Sequence, residues 1–169
     1  VDDLLDLSRL QNQDFKIERE TLNLREVLED VLRSVQKLAA SKNLEIRLEQ
    51  DSGGSPITGD YGRLRQMLMI LLDNAVKFSP IGGMIEVTLK NGSLSIRDYG
   101  IGIAEKDIPY LFDRFYKVSS ESNKNGTGLG LSIAKQIADR HGITITVKSE
   151  LGKETEFLLE FDKSYSLQI

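Results

Sequence analysis

Apolar side chains recur at positions 24, 27, 28, 31, 32, 35, 38 and 39, the spacing of one face of an α-helix. The run begins behind Asn23, with Glu26 three positions on, the pattern of a helix N-terminus. A second helix is predicted behind Asp60, with Leu64, Met67, Leu68, Leu71, Leu72, Ala75 and Phe78 as its core stripe and Pro80 and Gly82-Gly83 as its stop. A third covers "LGLSIAKQIADRHG", apolar at 129, 131, 133, 134, 137 and 138 and ended by Gly142. Elsewhere the period drops to two. "FKIERE", "LEIRLEQ", a short run around Ile57, "MIEVTLK", "SLSIRDY", "ITITVKS" and "ETEFLLEF" alternate as half-buried strands do. Asn91-Gly92 between the fourth and fifth of these suits a type I′ hairpin turn, and Gly152 marks the last turn.

Residues 1–14 have helical spacing but are too few to stand alone, and they read as the tail of a longer helix in an excised fragment. A short helix is predicted at 105–113, followed by "KVSSESNKNGTG", which has neither period nor apolar content. Helices interleaved with antiparallel hairpins predict an α+β two-layer sandwich rather than a doubly wound parallel sheet.

Composition narrows the chemistry. The 169 residues are 40% apolar, enough for one core. A net charge of -4 argues against nucleic acid as the main partner. With no Cys there is no disulfide, thiolate metal site or Cys nucleophile, and one His, His141, excludes zinc sites needing two imidazoles. His141 beside Gly142 reads as a surface residue at a helix end, where its charge suits the helix dipole. No apolar run approaches the roughly 20 residues that span a bilayer.

Three stretches carry candidate chemistry. "KNGTGLGLSIAKQ" places Gly126, Gly128 and Gly130 before a helix. It fits neither a Walker loop, whose Gly-Lys must be followed by Ser or Thr, nor the G-x-G-x-x-G dinucleotide turn. It is either an ordinary flexible loop or an anion site where backbone N–H groups meet a helix N-terminus. "RDYGIGIA" sets Asp98 before Gly100 and Gly102, either a tight turn or a carboxylate placed to accept from an exocyclic amine. Gln66, Ile70, Asn74 and Lys77 share one stripe of the second long helix, either a solvated flank or an amide oxygen for Mg²⁺ beside an ammonium for phosphate.

In order along the chain, "LLDNAVKFSP", "RDYGIGI", "LFDRFYK" and "NGTGLGLSIAKQI" resemble the N, G1, F and G2 boxes of sensor histidine kinases, and the likeness covers residues 1–162. The resemblance implies a Bergerat-type ATP-binding fold, a mixed, mostly antiparallel sheet backed by three helices with nucleotide between two of them under a lid. It divides the chain into 1–14, the end of the second dimerisation helix, and 15–169, the catalytic ATP-binding domain. By position, Asn74 would ligate Mg²⁺, Lys77 would contact phosphate and Phe78 would line the pocket. Asp98 would hold the adenine amine beside Gly100, Gly102, Ile103 and Thr155. Phe112 and Phe115 would anchor the base of a lid over residues 117–129, and Tyr116 and Lys117 would approach the outer phosphates. Gly126, Thr127, Gly128, Leu129 and Gly130 would bind the nucleotide, with Gly126 and Gly128 letting the lid close and Gly130 opening a helix toward the phosphates. Asn74 and Lys117 would act in catalysis.

Two positions depart from the family's pattern. Ile70 stands where an Asn is usual, and where related ATPases carry a water-activating Glu; Glu154 stands where Gly commonly precedes the Thr. The implied activity is donation of the γ-phosphoryl of ATP to a His on an absent dimerisation domain, and from there to a response regulator. The implied parent is a homodimer anchored in the bacterial inner membrane, with this soluble, monomeric piece in the cytoplasm. The alternatives are a serine kinase or ATPase of the same fold, or a module that kept the fold as a binding surface.

Overall fold

The computed structural model describes residues 2–12, 16–51, 56–117 and 128–161. The elements, in order, are α1 (Asp2–Gln11), β1 (Glu20–Asn23), α2 (Leu24–Ser41), β2 (Glu45–Gln50), β3 (Pro56–Gly59), α3 (Tyr61–Phe78), β4 (Met84–Lys90), β5 (Ser93–Asp98), a 3₁₀ turn at Glu105–Tyr110, α4 (Gly130–Arg140), β6 (Ile143–Glu150) and β7 (Glu154–Phe161). The main sheet runs β2-β4-β5-β7-β6, parallel between β2 and β4 and antiparallel elsewhere. Helices α2, α3 and α4 pack side by side against it. This is the expected two-layer α+β sandwich.

Alternation places Ile85, Val87 and Leu89 of β4 and Leu94 and Ile96 of β5 in the core. They meet the α3 stripe of Leu64, Met67, Leu68, Leu71, Leu72 and Ala75, all buried. Both N-caps form as expected: Asn23 accepts from the N–H of Arg25 at 3.0 Å, and Asp60 from that of Arg63 at 3.1 Å. The β4–β5 hairpin turns at Asn91 and Gly92, both with positive φ (51° and 75°), as a type I′ turn requires. The far end of α3 is closed by a residue distant in sequence. Lys42 Nζ donates to the carbonyls of Val76 (2.8 Å), Lys77 (3.2 Å) and Ser79 (2.6 Å).

Four expectations are corrected. The strand anticipated over residues 15–20 begins at Glu20, because its partner β3 ends at Gly59, opposite Glu20. Beyond that point Asp60 is committed to capping α3, and its Oδ2 accepts from the Glu18 N–H at 3.1 Å instead of continuing a ladder. The helix expected over 105–113 is a 3₁₀ helix over Glu105–Tyr110 containing Pro109, whose ring would clash in an α-helix with the carbonyl four residues earlier. Phe78 is half-buried and faces a cavity rather than the core. His141 is 3% exposed, not a surface residue. Its Nε2 accepts from the Asp60 N–H at 3.0 Å while Nδ1 lies 2.8 Å from the Ile137 carbonyl, a pattern only the neutral imidazole satisfies. Burial pushes its pKa down, against the Ile137 bond.

Leu7 and Leu10 of α1 are buried in the same core. Asp6 pairs with Arg63 at 3.5 Å and accepts from Gln66 at 3.0 Å, and Arg140 donates to the Leu10 carbonyl at 3.0 Å. The terminal helix is thereby fastened to α3 and α4. Among the described residues no helix is long and apolar enough to cross a membrane.

Candidate functional site

A cavity of about 360 Å³ opens between α3 and the N-terminus of α4. The stripe of α3 explains one wall: Ile70, Asn74 and Lys77 fall on successive turns and, with Asp73 and Phe78, face the opening. Asp98, Thr155 and Phe157 line it from β5 and β7, and Gly102 and Ile103 from the loop after β5. Tyr116, Lys117 and Gly128 stand on one side of the mouth, and Gly130 and Leu131 of α4 on another. The Gln66 end of the α3 stripe turns instead to Asp6 and Arg63.

Asp98 sits at the deep end, 4% exposed. Desolvation raises its pKa to about 6, against a hydrogen bond from the Gly100 N–H at 3.0 Å; the charge of Glu154 adds to the rise. A poised acceptor in an apolar slot recognises a donor such as an amine. The two glycines beside it are steric necessities. A Cβ on Gly100 would lie 1.9 Å from the Phe78 carbonyl oxygen, and one on Gly102, whose φ is +72°, 2.2 Å from the Glu150 carbonyl oxygen. The loop is tied back by Ile101 N–H to Phe78 O (3.3 Å) and Gly152 N–H to Ile101 O (2.6 Å).

Thr155 is the direct cross-strand partner of Asp98. Glu154, the neighbouring departure from the family pattern, projects to the opposite face, where its carboxylate binds the Arg97 guanidinium. The Glu at 154 therefore leaves the Thr155 position intact. Ile70 is inside the site, its Cγ2 3.5 Å from where a Gly130 Cβ would stand. It supplies an apolar wall where an amide would supply a polar contact.

At the mouth, Phe112 packs edge-on against Phe157 with ring centroids 6.4 Å apart, as an anchor should. Phe115 does not. Its side chain is 58% exposed, and what it contributes is backbone: at φ 62° its N–H donates to the Gly128 carbonyl at 2.8 Å. Tyr116 is held by a hydrogen bond from its hydroxyl to Asp107, a carboxylate 4% exposed, which raises the phenol's pKa. Gly126 and Thr127, with the rest of the anticipated lid from 118 to 127, lie outside the described residues. Leu129 precedes α4 as a buried residue whose own side chain makes no cap hydrogen bond, and Gly130 and Leu131 of the first turn of α4 line the cavity.

Sequence reasoning missed Asp3, Asp73, Leu111 and Phe157, which also line the cavity. It also missed Ser149, which joins Thr155 to the glycine loop by a hydroxyl–hydroxyl hydrogen bond with Thr155 Oγ1 and one accepted from the Ile103 N–H. The period-3.6 signal contained Asp73, adjacent to Asn74; Asp3 and Ser149 come from elements brought in by tertiary packing.

Asn74 offers a half-buried amide oxygen on the cavity, and no group of three or more His, Cys, Asp or Glu that could hold a metal occurs among the described residues. Such a sparse set of hard oxygens fits Mg²⁺, which keeps several waters and takes phosphate oxygens, rather than a cation needing a protein cage.

The cavity of this two-layer sandwich combines a buried carboxylate and close backbone approach at glycine with lysines, Lys77 and Lys117, set among the carboxylates of Asp3 and Asp73, a mixed polar and apolar lining suited to a nucleotide. Residues 59–165 match the model of the family described as "Histidine kinase-, DNA gyrase B-, and HSP90-like ATPase", and the chain belongs to that family. Its relatives place it among the catalytic ATP-binding domains of sensor histidine kinases. It is 40% identical over 156 residues to sensor histidine kinase YkoH of Bacillus subtilis, covering 90% of this chain and 34% of the relative. It is 35% identical over 146 residues to sensor protein QseC of Salmonella typhi, covering 86% and 32%. Full-length ShkA in complex with AMPPNP superposes with a TM-score of 0.82 at 29% identity, covering 95% of this chain and 34% of that one. The chain thus spans about a third of the length of the curated relatives it matches.

Proposed function

We propose that the chain binds Mg-ATP and, within its parent protein, donates the γ-phosphoryl group to a histidine on a separate dimerisation domain, from which a response-regulator aspartate is served. The observation that carries this is the convergence on one cavity of Asn74, Lys77 and Lys117 with Asp98 and Thr155. The AMPPNP named in the ShkA complex, an analogue of ATP, supports an adenine nucleotide as the ligand class.

Each residue has a task the chemistry requires. Asn74 would hold Mg²⁺, which when bound neutralises phosphate charge; Lys77 and Lys117 add fixed positive charge, and the first amides of α4 face the phosphate end. Asp98 and Thr155 hold the base, so that binding energy from the far end of the nucleotide fixes the reacting end. Phosphoryl transfer asks little more of a protein than this positioning. Ile70 offers no base to a water at its place, which favours transfer over hydrolysis.

In this reading residues 1–14 are the tail of the second helix of the dimerisation domain, and the parent is a homodimer anchored in the bacterial inner membrane with this domain in the cytoplasm. The test is to mix the chain with γ-labelled Mg-ATP and the parent's His-bearing helical domain. Acid-labile, base-stable label on that domain, lost when its His is replaced, is expected. Release of free phosphate without labelling would contradict the reading.

A further inference from the structure

Asp98 of β5, Thr155 of β7 and Ser149 of β6 stand in one rung of the sheet, paired Asp98 with Thr155 and Thr155 with Ser149. Cross-strand partners project to the same face, and Asp98 and Thr155 both line the cavity. Ser149 Oγ lies 2.8 Å from the Glu154 carbonyl oxygen, 2.7 Å from the Ile103 nitrogen and 2.8 Å from Thr155 Oγ1.

A hydroxyl has one proton and two lone pairs. The Glu154 carbonyl can only accept, so it takes the Ser149 proton. The Ile103 N–H can only donate, so it takes one lone pair. What Ser149 has left for Thr155 is a lone pair. The Thr155 hydroxyl is therefore the donor in that contact, and toward the cavity it presents lone pairs alone.

We propose that Ser149 is a specificity-determining positioning residue: by holding the Thr155 proton it makes Asp98 and Thr155 two adjacent acceptors, which select a purine with an exocyclic amine over a 6-oxo purine. The proposal rests on the nucleotide-binding reading above. An amine carries two N–H groups, one for each acceptor or for a water between them. A 6-oxo group sets lone pairs against lone pairs, and leaving buried groups unpaired is the stronger means of rejection.

The test is titration of the chain with Mg-ATP and Mg-ITP, whose purines carry an amine and an oxo group at the 6-position. Wild type is expected to prefer ATP. Ser149→Ala frees the Thr155 proton and is expected to narrow the ATP:ITP affinity ratio about five- to tenfold, with ITP affinity held or raised. Ser149→Thr keeps the hydroxyl and is expected to restore the ratio. An equal loss for both nucleotides in Ser149→Ala, the mark of a merely structural role, overturns the proposal. Thr155→Val gives an independent reading should Ser149→Ala not fold: loss of ATP affinity with ITP spared supports the proposal, and an unchanged or raised ratio overturns it. Wild-type chain that binds neither nucleotide refutes the underlying reading, an outcome distinct from a ratio that fails to move.

Discussion

The backbone N–H of Asp60 donates to Nε2 of His141 at 3.0 Å, joining the start of α3 to the end of α4 through a neutral, buried imidazole. Because burial holds its pKa below the usual 6.5, the unfolded chain takes up a proton there before the folded one does. The stabilisation is present above about pH 6.5 and is lost as pH falls below it. His141→Phe is expected to remove that slope and, by leaving the Asp60 N–H without its acceptor, to cost about 1–3 kcal/mol at pH 8. Urea unfolding of both proteins at pH 5.5 and 8 checks it; equal slopes would show that His141 does not titrate between the two states.

Asp98 slopes the opposite way. Its pKa is raised from 3.8 to about 6, so the folded state holds the extra proton, and the benefit is lost as pH rises through about 6. Asp98→Asn should therefore be more stable than wild type at pH 8, by up to about 3 kcal/mol, while losing nucleotide affinity at least about tenfold. A variant both less stable and still tight-binding would place the carboxylate outside recognition.

Lys42→Ala removes the cation from three carbonyls at the end of α3, the turn that carries Lys77 and Phe78. The expected cost is about 2 kcal/mol, with a weaker nucleotide site; Lys42→Arg should recover part of both. Thermal unfolding and nucleotide titration of the two variants measure it.

Gly100→Ala would press a methyl group against the Phe78 carbonyl oxygen, 1.9 Å away. Since both partners are backbone, the loop must move, and a loss of more than about 2 kcal/mol is expected in thermal melts. A wild-type melting profile would mean the loop is not held against α3.

The long helices, the hairpin at Asn91-Gly92 and the α3 stripe were legible in the sequence because each is a local signal: a period, a cap, a turn pair. The stripe also delivered Ile70, Asn74 and Lys77 to one cavity, since a helix keeps residues three and four apart on one face. What escaped depends on partners remote in the chain. His141 is buried because β3 and the start of α3 cover the end of α4, 81 residues from its bonded neighbour Asp60. Phe115 is exposed because the chain uses its backbone, at positive φ, to hold Gly128. Ser149 had no motif to announce it, and its role follows from the β6–β7 register.

Calorimetric titration of the chain with ATP, with and without Mg²⁺ and with Asn74→Ala alongside, tests the central claim most directly. Saturable one-to-one binding that tightens with Mg²⁺, and a Mg²⁺ dependence lost in Asn74→Ala, is predicted. No binding in either condition, or an equal Mg²⁺ effect in wild type and variant, would contradict it.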